Sequence, residues 1–282
     1  MTTVWLDGEV VEEAAARISP FDHGVLVGDG VFETLRVYGG VPFAWRRHLD
    51  RLGHSAAGLG LAVPDRDLLK AAARDVLDAN ALAEARLRIT VTGGLAPLGS
   101  ERGESPPTVI VAATEMRPWP PTTAVVISPW PRNERGATVG LKTISYAENV
   151  RALAYSRERG AGEAIFPNTG GELCEATGSN VFVVQRGVVR TPPASAGCLL
   201  GVTRALVLEL CAELGIPAEE MALSIGVLAH ASDEVFLTST TREVQGVSEV
   251  VESWKPPAPA PGPVTARLAA AFSALVARDL DP

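Results

Sequence analysis

The sequence predicts an α/β fold made of two domains. Three observations carry this. Strand-like runs and helix-period stripes interleave along the 282 residues. Pro118, Pro120, Pro121 and a polar stretch from Pro131 to Gly136 break the pattern. The segments on either side each hold strands and helices, and no internal repeat relates them.

Val4–Leu6 and Glu9–Val11 flank Asp7-Gly8, a two-residue hairpin signal. The Gly24–Gly30 stretch reads as a tight loop leading into a strand over Val31–Val37, which turns back at Gly39-Gly40. Leu49, Leu52, Ala56 and Ala57 fall at helical spacing and predict a helix over 46–58. Leu68, Leu69, Ala72, Val76 and Leu77 do the same over 65–79. Strands over 86–92 and 109–113 complete a first domain, 1–118. Residues 119–133 read as a linker framing one strand, 124–128. The second domain, 134–282, carries predicted helices over 148–160, 202–214 and 224–231, with strands over 163–166, 180–184, 188–190 and 234–237. Pro256–Pro263 reads as a stiff connector before a last helix over 264–280.

Composition narrows the function. With 46% hydrophobic and 21% charged residues, the chain is not of the disordered class. No apolar run reaches the roughly 18 to 20 residues that span a bilayer, and the acidic start MTTVWLDGEVVEE lacks the features of a signal peptide. A soluble, cytoplasmic protein without a membrane partner is expected. The net charge of −8, with no basic stretch beyond Arg46-Arg47, argues against a nucleic-acid partner. Three cysteines outside any CxxC pattern do not make a disulfide framework, and four histidines with no HxxxH pair do not make a zinc site.

Neither a phosphate loop, nor GxGxxG after a strand, nor a GxSxG elbow occurs. If the chain is an enzyme, a cofactor carries the chemistry. Lys142 stands in the apolar run LKTISY, where a buried cation is costly and a Schiff base removes the cost. Glu175 sits in ELCEATGSN, where a carboxylate among small residues can hold a pyridine nitrogen protonated. LGVTR opens a helix, and the Thr238–Thr241 run follows a strand. A helix start and a hydroxyl-rich strand end form a phosphate cup. Each fragment alone has a plainer reading, as a snorkelling lysine, a solvated turn and a helix cap. Their convergence is the argument.

LKTISYAENVRA, ELCEATGSNVFVV, TPPASAGCLLGVTRALVLEL and DEVFLTSTTREVQGV resemble the fold-type IV pyridoxal-phosphate enzymes, the relatives of branched-chain and D-amino-acid aminotransferases and aminodeoxychorismate lyase. FDHGVLVGDGVFETLRVYGG and HLDRL resemble the same family's first domain. The resemblance implies a two-domain α/β subunit with pyridoxal 5′-phosphate in the cleft between domains, in a homodimer. It implies Lys142 as the imine-forming lysine and proton shuttle. It places Glu175 at the ring nitrogen, Arg51 at the phosphate, Val202 and Thr203 as helix-start donors and Thr240 as a phosphate hydroxyl. Tyr146 falls beside the phenolic oxygen, and Ser179 and Asn180 beside the ring. Phe32 and Thr241 fall on the substrate side. The family's arginine and histidine after the strand over 86–92 are replaced by Leu98 and Ser100. Arg86 and Arg88, two apart on a strand face expected to be buried, could bind a substrate carboxylate instead, or pair with Glu84. Cys174 and Cys198 read as small buried hydrophobes. The expected reaction is amino transfer between an amino acid, taken as the D enantiomer, or a primary amine and a keto acid. The alternative is release of pyruvate and 4-aminobenzoate from 4-amino-4-deoxychorismate.

Overall fold

A computed structural model describes residues 2–230 and 232–282. They fall into two units. The first comprises Met1–Arg117, Leu141–Ser145 and Leu280–Pro282; the second comprises Pro118–Gly140 and Tyr146–Asp279. Lys142, expected in the second domain, thus belongs to the first unit. The linker expectation for 119–133 is also corrected: residues Thr122–Ile127 within it form a strand of the second unit's sheet. Its prolines flank the strand, Pro120 and Pro121 before it and Pro129 and Pro131 after it, where a missing N–H removes no ladder bond, and its Thr and Val residues suit a pleated surface.

The first unit contains β1 (Thr3–Leu6), β2 (Glu9–Glu12), α1 (His23–Val27), β3 (Gly30–Tyr38), β4 (Val41–Pro42), α2 (Trp45–Leu59), α3 (Arg66–Ala79), β5 (Ala85–Thr92) and β6 (Val109–Glu115). Its sheet runs β2-β1-β6-β5-β3-β4. Leu6 pairs with Glu9, so Asp7 and Gly8 form a two-residue turn, both at positive φ (47° and 108°), as the strand twist demands. Val31, Leu35 and Val37 of β3 and Leu87, Ile89 and Val91 of β5 bury one sheet face against Leu49, Leu52 and Ala56 of α2 and Leu69, Ala72 and Val76 of α3. Asp65 caps α3 by accepting the Asp67 and Leu68 N–H groups. The stretch expected as a plain loop holds α1, capped by Asp22. Residues 142–144 run beside the start of β3: the Phe32 N–H donates to the Lys142 carbonyl at 3.0 Å, and the Ile144 N–H to the Gly30 carbonyl at 2.9 Å.

The second unit contains β7 (Thr122–Ile127), α4 (Ala147–Arg157), β8 (Glu163–Pro167), β9 (Leu173–Ala176), β10 (Asn180–Gln185), β11 (Val188–Thr191), α5 (Val202–Glu213), β12 (Ala218–Glu220), α6 (Val227–His230), β13 (Glu234–Ser239), β14 (Glu243–Val250) and α7 (Pro263–Arg278). Its sheet order is β12-β11-β10-β13-β14-β7-β8-β9. Val125, Ile165, Val181, Val183, Val235, Leu237 and Val247 belong to one core cluster. The helix expected over 224–231 is shorter than predicted, and Ala231 lies outside the described residues. Among the described residues no helix is long and apolar enough to cross a membrane.

Candidate functional site

In the first unit, strand alternation sends Glu33 of β3 into the core beneath α2, where apolar residues would be the default. His48 and Arg51, three apart on α2, meet it there. Arg51 donates from Nε to Glu33 Oε1 at 2.7 Å and from Nη2 to Oε2 at 2.8 Å, and His48 Nδ1 donates to Oε2 at 2.7 Å. Burial alone would raise the Glu33 pKa. The Arg51 charge and hydrogen bonds, joined by His48, outweigh it and bring the value down to about 2. Burial, and to a lesser extent the charges of Arg51 and Lys142, depress the His48 pKa against the pull of Glu33. The imidazole is therefore held neutral with its proton on Nδ1.

Lys142 is anchored by its backbone, whose N–H donates to Ser55 Oγ at 3.0 Å. Its Nζ lies 4.4 Å from the centre of the Phe32 ring. Arg88 Cζ lies 3.7 Å from the centre of the same ring, and Arg88 Nε donates to Thr90 Oγ1 at 3.1 Å. Phe32, Arg88 and Lys142, expected on sequence, are thus brought together. Arg86 is not: it lies exposed, opposite Arg36 and Thr114. The expectation of a buried face for the two arginines is corrected, because Leu87, Ile89 and Val91 take the core side and the arginines point the other way. Glu84 binds Arg36 and the Gly39 N–H instead of either arginine. Leu98 is 75% exposed. Nearby, Arg102 forms a bidentate pair with Asp29, both bonds 2.6 Å, and His23 joins at 2.7 Å.

In the second unit, Glu175 of β9 accepts the Leu199 N–H at Oε2 (3.0 Å), and its Oε1 lies 3.5 Å from Arg132 Nη2. Asn180, the first residue of β10, donates from Nδ2 to the Leu199 carbonyl at 2.7 Å, so both ends of that residue are gripped. Two positions later Gly201 opens α5 without a side-chain cap. A Cβ there would come 2.2 Å from Asn180 Oδ1, which leaves glycine as the residue that fits. Val202 and Thr203 supply the helix's first N–H groups. Thr238 pairs with Asn180 across β10 and β13, and Thr240 and Thr241 follow in the half-buried turn to β14. The hydroxyls of Ser179 and Thr238 are buried with no hydrogen-bond partner among the described residues. Tyr146 starts α4 in a half-buried position. An uncapped helix start, a glycine cradle and two orphaned hydroxyls together form an anion-receiving donor set.

A family model, amino-transferase class IV, matches residues 30–250. The chain belongs to the class IV aminotransferases. It is 32% identical over 265 residues to a D-alanine aminotransferase of Bacillus licheniformis, covering 93% of each chain. Its fold matches that of the branched-chain amino acid aminotransferase of Escherichia coli with a TM-score of 0.91 at 30% identity, covering 97% of this chain and 94% of that one. A branched-chain amino acid aminotransferase of T.th., solved with pyridoxamine 5′-phosphate, matches at a TM-score of 0.90 and 27% identity over 98% and 94%. The α/β fold of a two-domain, fold-type IV enzyme follows, and pyridoxal 5′-phosphate is its cofactor. The donor set fits this group: a phosphate suits the helix start and the orphaned hydroxyls, and a cationic ring nitrogen suits the Glu175 carboxylate.

Glu33, His48 and Arg132 were missed on sequence. A carboxylate inside the apolar alternation VFETL, with a histidine and an arginine three apart on the next helix, was a signal for the first two. Arg132 stands in a proline-bounded stretch that gives none. The three cysteines are buried and free, with thiol pKa values pushed up chiefly by burial, about 11 for Cys198 and Cys211.

Proposed function

We propose that this aminotransferase moves an amino group from an α-amino acid, taken as the D enantiomer, or from the corresponding primary amine, to a keto acid. The supporting observation is the Phe32 ring, which carries the Lys142 amine at 4.4 Å and the Arg88 guanidinium at 3.7 Å. A base and a carboxylate receiver on one ring suit a substrate with its amine and carboxylate on one carbon. Likeness to the D-alanine aminotransferase supports the D enantiomer. The branched-chain relatives make a branched-chain amino acid and its keto acid the competing pair.

When bound, the cofactor supplies an electron sink for the bond broken at the substrate carbon. The protein's residues do the rest. Lys142 Nζ holds the cofactor covalently at rest; once freed, it takes the proton from the substrate carbon and redelivers it. Glu175 accepts a hydrogen bond from the ring N–H. Arg51, whose Nε and Nη2 are fixed on Glu33, would serve the phosphate, as would the N–H groups of Val202 and Thr203 and the Thr240 hydroxyl. Ser179 and Asn180 would hold the ring, and Tyr146 would serve its phenolic oxygen. Arg88 pairs with the substrate carboxylate, and Phe32 and Thr241 flank the substrate. The enzyme works as a homodimer, a reading supported by Phe21, Val25, Val27, Leu95 and Leu98, large apolar side chains exposed on the first unit.

The test is a donor panel of D- and L-amino acids, (R)- and (S)-amines and 4-amino-4-deoxychorismate, with the cofactor spectrum and products followed. Consumption of a D-amino acid with stoichiometric keto-acid formation supports the reading. Exclusive use of L-leucine would replace the donor. Release of pyruvate and 4-aminobenzoate with no acceptor present would replace amino transfer itself.

A further inference from the structure

Glu175 does not stand alone in the second unit. Its Oε1 faces Arg132 Nη2 at 3.5 Å while Oε2 takes the Leu199 N–H at 3.0 Å. Arg132 is itself held in place. Its guanidinium lies 4.4 Å over the Phe166 ring, its Nη1 donates to Asn149 Oδ1 at 3.2 Å, and its backbone N–H donates to the Pro167 carbonyl at 2.7 Å. Asn149 is fixed in turn by donating to the Thr177 carbonyl, and the Thr177 hydroxyl donates to the buried Glu163. Phe166 is also the residue across from Glu175 in the β8–β9 pair. The guanidinium is thus held by Asn149 and Glu148 of α4, the latter at 3.4 Å from Nη1, and by the Phe166 ring of β8, which leaves Nη2 turned to the Glu175 carboxylate.

We infer that Arg132 is a positioning residue that holds Glu175 as an anion with a fixed orientation toward the cofactor's ring nitrogen. This rests on the reading of Glu175 given above. A carboxylate anion only accepts hydrogen bonds, so it requires the ring nitrogen to carry a proton. A carboxylic acid in the same place could donate instead, to an unprotonated nitrogen, and the electron sink would weaken. The Arg132 charge disfavours that acid form, and Nη2 at Oε1 with the Leu199 N–H at Oε2 keeps the carboxylate from turning. The Cys174 and Cys198 thiols nearby stay neutral and cannot substitute for it. Glu134 is engaged by Thr169, and Arg204 by Glu220.

The test compares R132M, R132K, E175Q and the double variant R132M/E175Q as holoenzymes. The first readout is the 15N chemical shift of the ring nitrogen in labelled pyridoxal phosphate. The second is the single-turnover rate with an amino acid donor. In R132M the shift should move toward the unprotonated value, with the rate falling about tenfold or more, the scale seen when an orienting partner of a functional ligand is lost. R132K, which keeps the charge and loses the fork, should fall between, and it carries the test if R132M does not fold. The double variant should be no slower than E175Q, because Arg132 acts through Glu175. An unmoved shift in R132M beside a normal loss in E175Q would remove this inference alone, as would multiplying losses in the double variant. A silent E175Q would remove the reading of Glu175, and this inference with it.

Discussion

Arg51 turns the Nε–Nη2 edge of its guanidinium onto both oxygens of Glu33, at 2.7 and 2.8 Å. The arginine proposed for the phosphate is thereby fixed by a carboxylate that has no solvent exposure. Removing one partner of such a buried pair leaves a charge uncompensated, which costs roughly 3–5 kcal/mol. Glu33→Ala should therefore lower the stability to urea by that order and also weaken cofactor binding. Urea titration and equilibrium dialysis of pyridoxal phosphate check the two effects. Lost stability with unchanged cofactor affinity would show that Glu33 supports the fold without aiming Arg51.

The same cluster sets a pH dependence. Glu33 falls from 4.5 to about 2 on folding, so its stabilisation is fully present above about pH 4.5 and is lost as the pH drops toward 2. His48 is also depressed, so the unfolded chain binds its proton first and stability begins to fall as the pH drops through 6.5. Thermal unfolding from pH 8 to 3 should show this two-stage decline. In His48→Gln the upper stage should vanish and the lower one remain.

Lys142→Ala should abolish the yellow colour and the borohydride-fixed covalent adduct, and reduce turnover by several orders of magnitude. Mass spectrometry of the reduced, digested protein locates the adduct. An adduct on another lysine would displace Lys142 from the role.

Arg88→Ala should lower kcat/KM on an amino acid by roughly two- to fivefold, the scale of an exposed charge pair. On the decarboxylated amine it should cost little. Arg86→Ala should leave both unchanged, since Arg86 lies opposite Arg36 and Thr114 and Arg88 is the one over the Phe32 ring. Equal loss on the two substrates in Arg88→Ala would assign the residue to the fold or the cofactor.

α2, α3 and the main strands of the first unit were legible from their periodicities, whereas the five-residue α1 was too short to show one. Leu49, Leu52 and Ala56 mark the buried stripe of α2 as clearly in the sequence as in the fold. Motif residues such as Glu175 and Thr203 were proposed for a different reason: their neighbours are small or hydroxylated, which suits close approach of a ligand. Local pattern could not reveal membership. Lys142 lies 22 residues before Ala164 of β8, yet its run pairs with β3, more than a hundred positions upstream. Nor could it tell which side of β5 is buried. Arg86 and Arg88 share a face in either case, and only the placement of α2 and α3 decides that Leu87 and Ile89 go inward.

The pairing of residues 142–144 with β3 limits how the chain can be divided. β4 covers only Val37 and Tyr38, so over Gly30–Phe32 that flank of β3 is completed by a segment beyond the end of residues 1–117. A fragment stopped at Arg117 would keep Ser55 and Phe32 but expose the Phe32 N–H and Gly30 carbonyl along an open, apolar strand edge. Such edges template pairing between copies. Expressed alone, the fragment should aggregate. A cut at Arg117 therefore does not yield a usable first-unit module, and one that carries residues 141–145 back to β3 through a short graft should stay in solution.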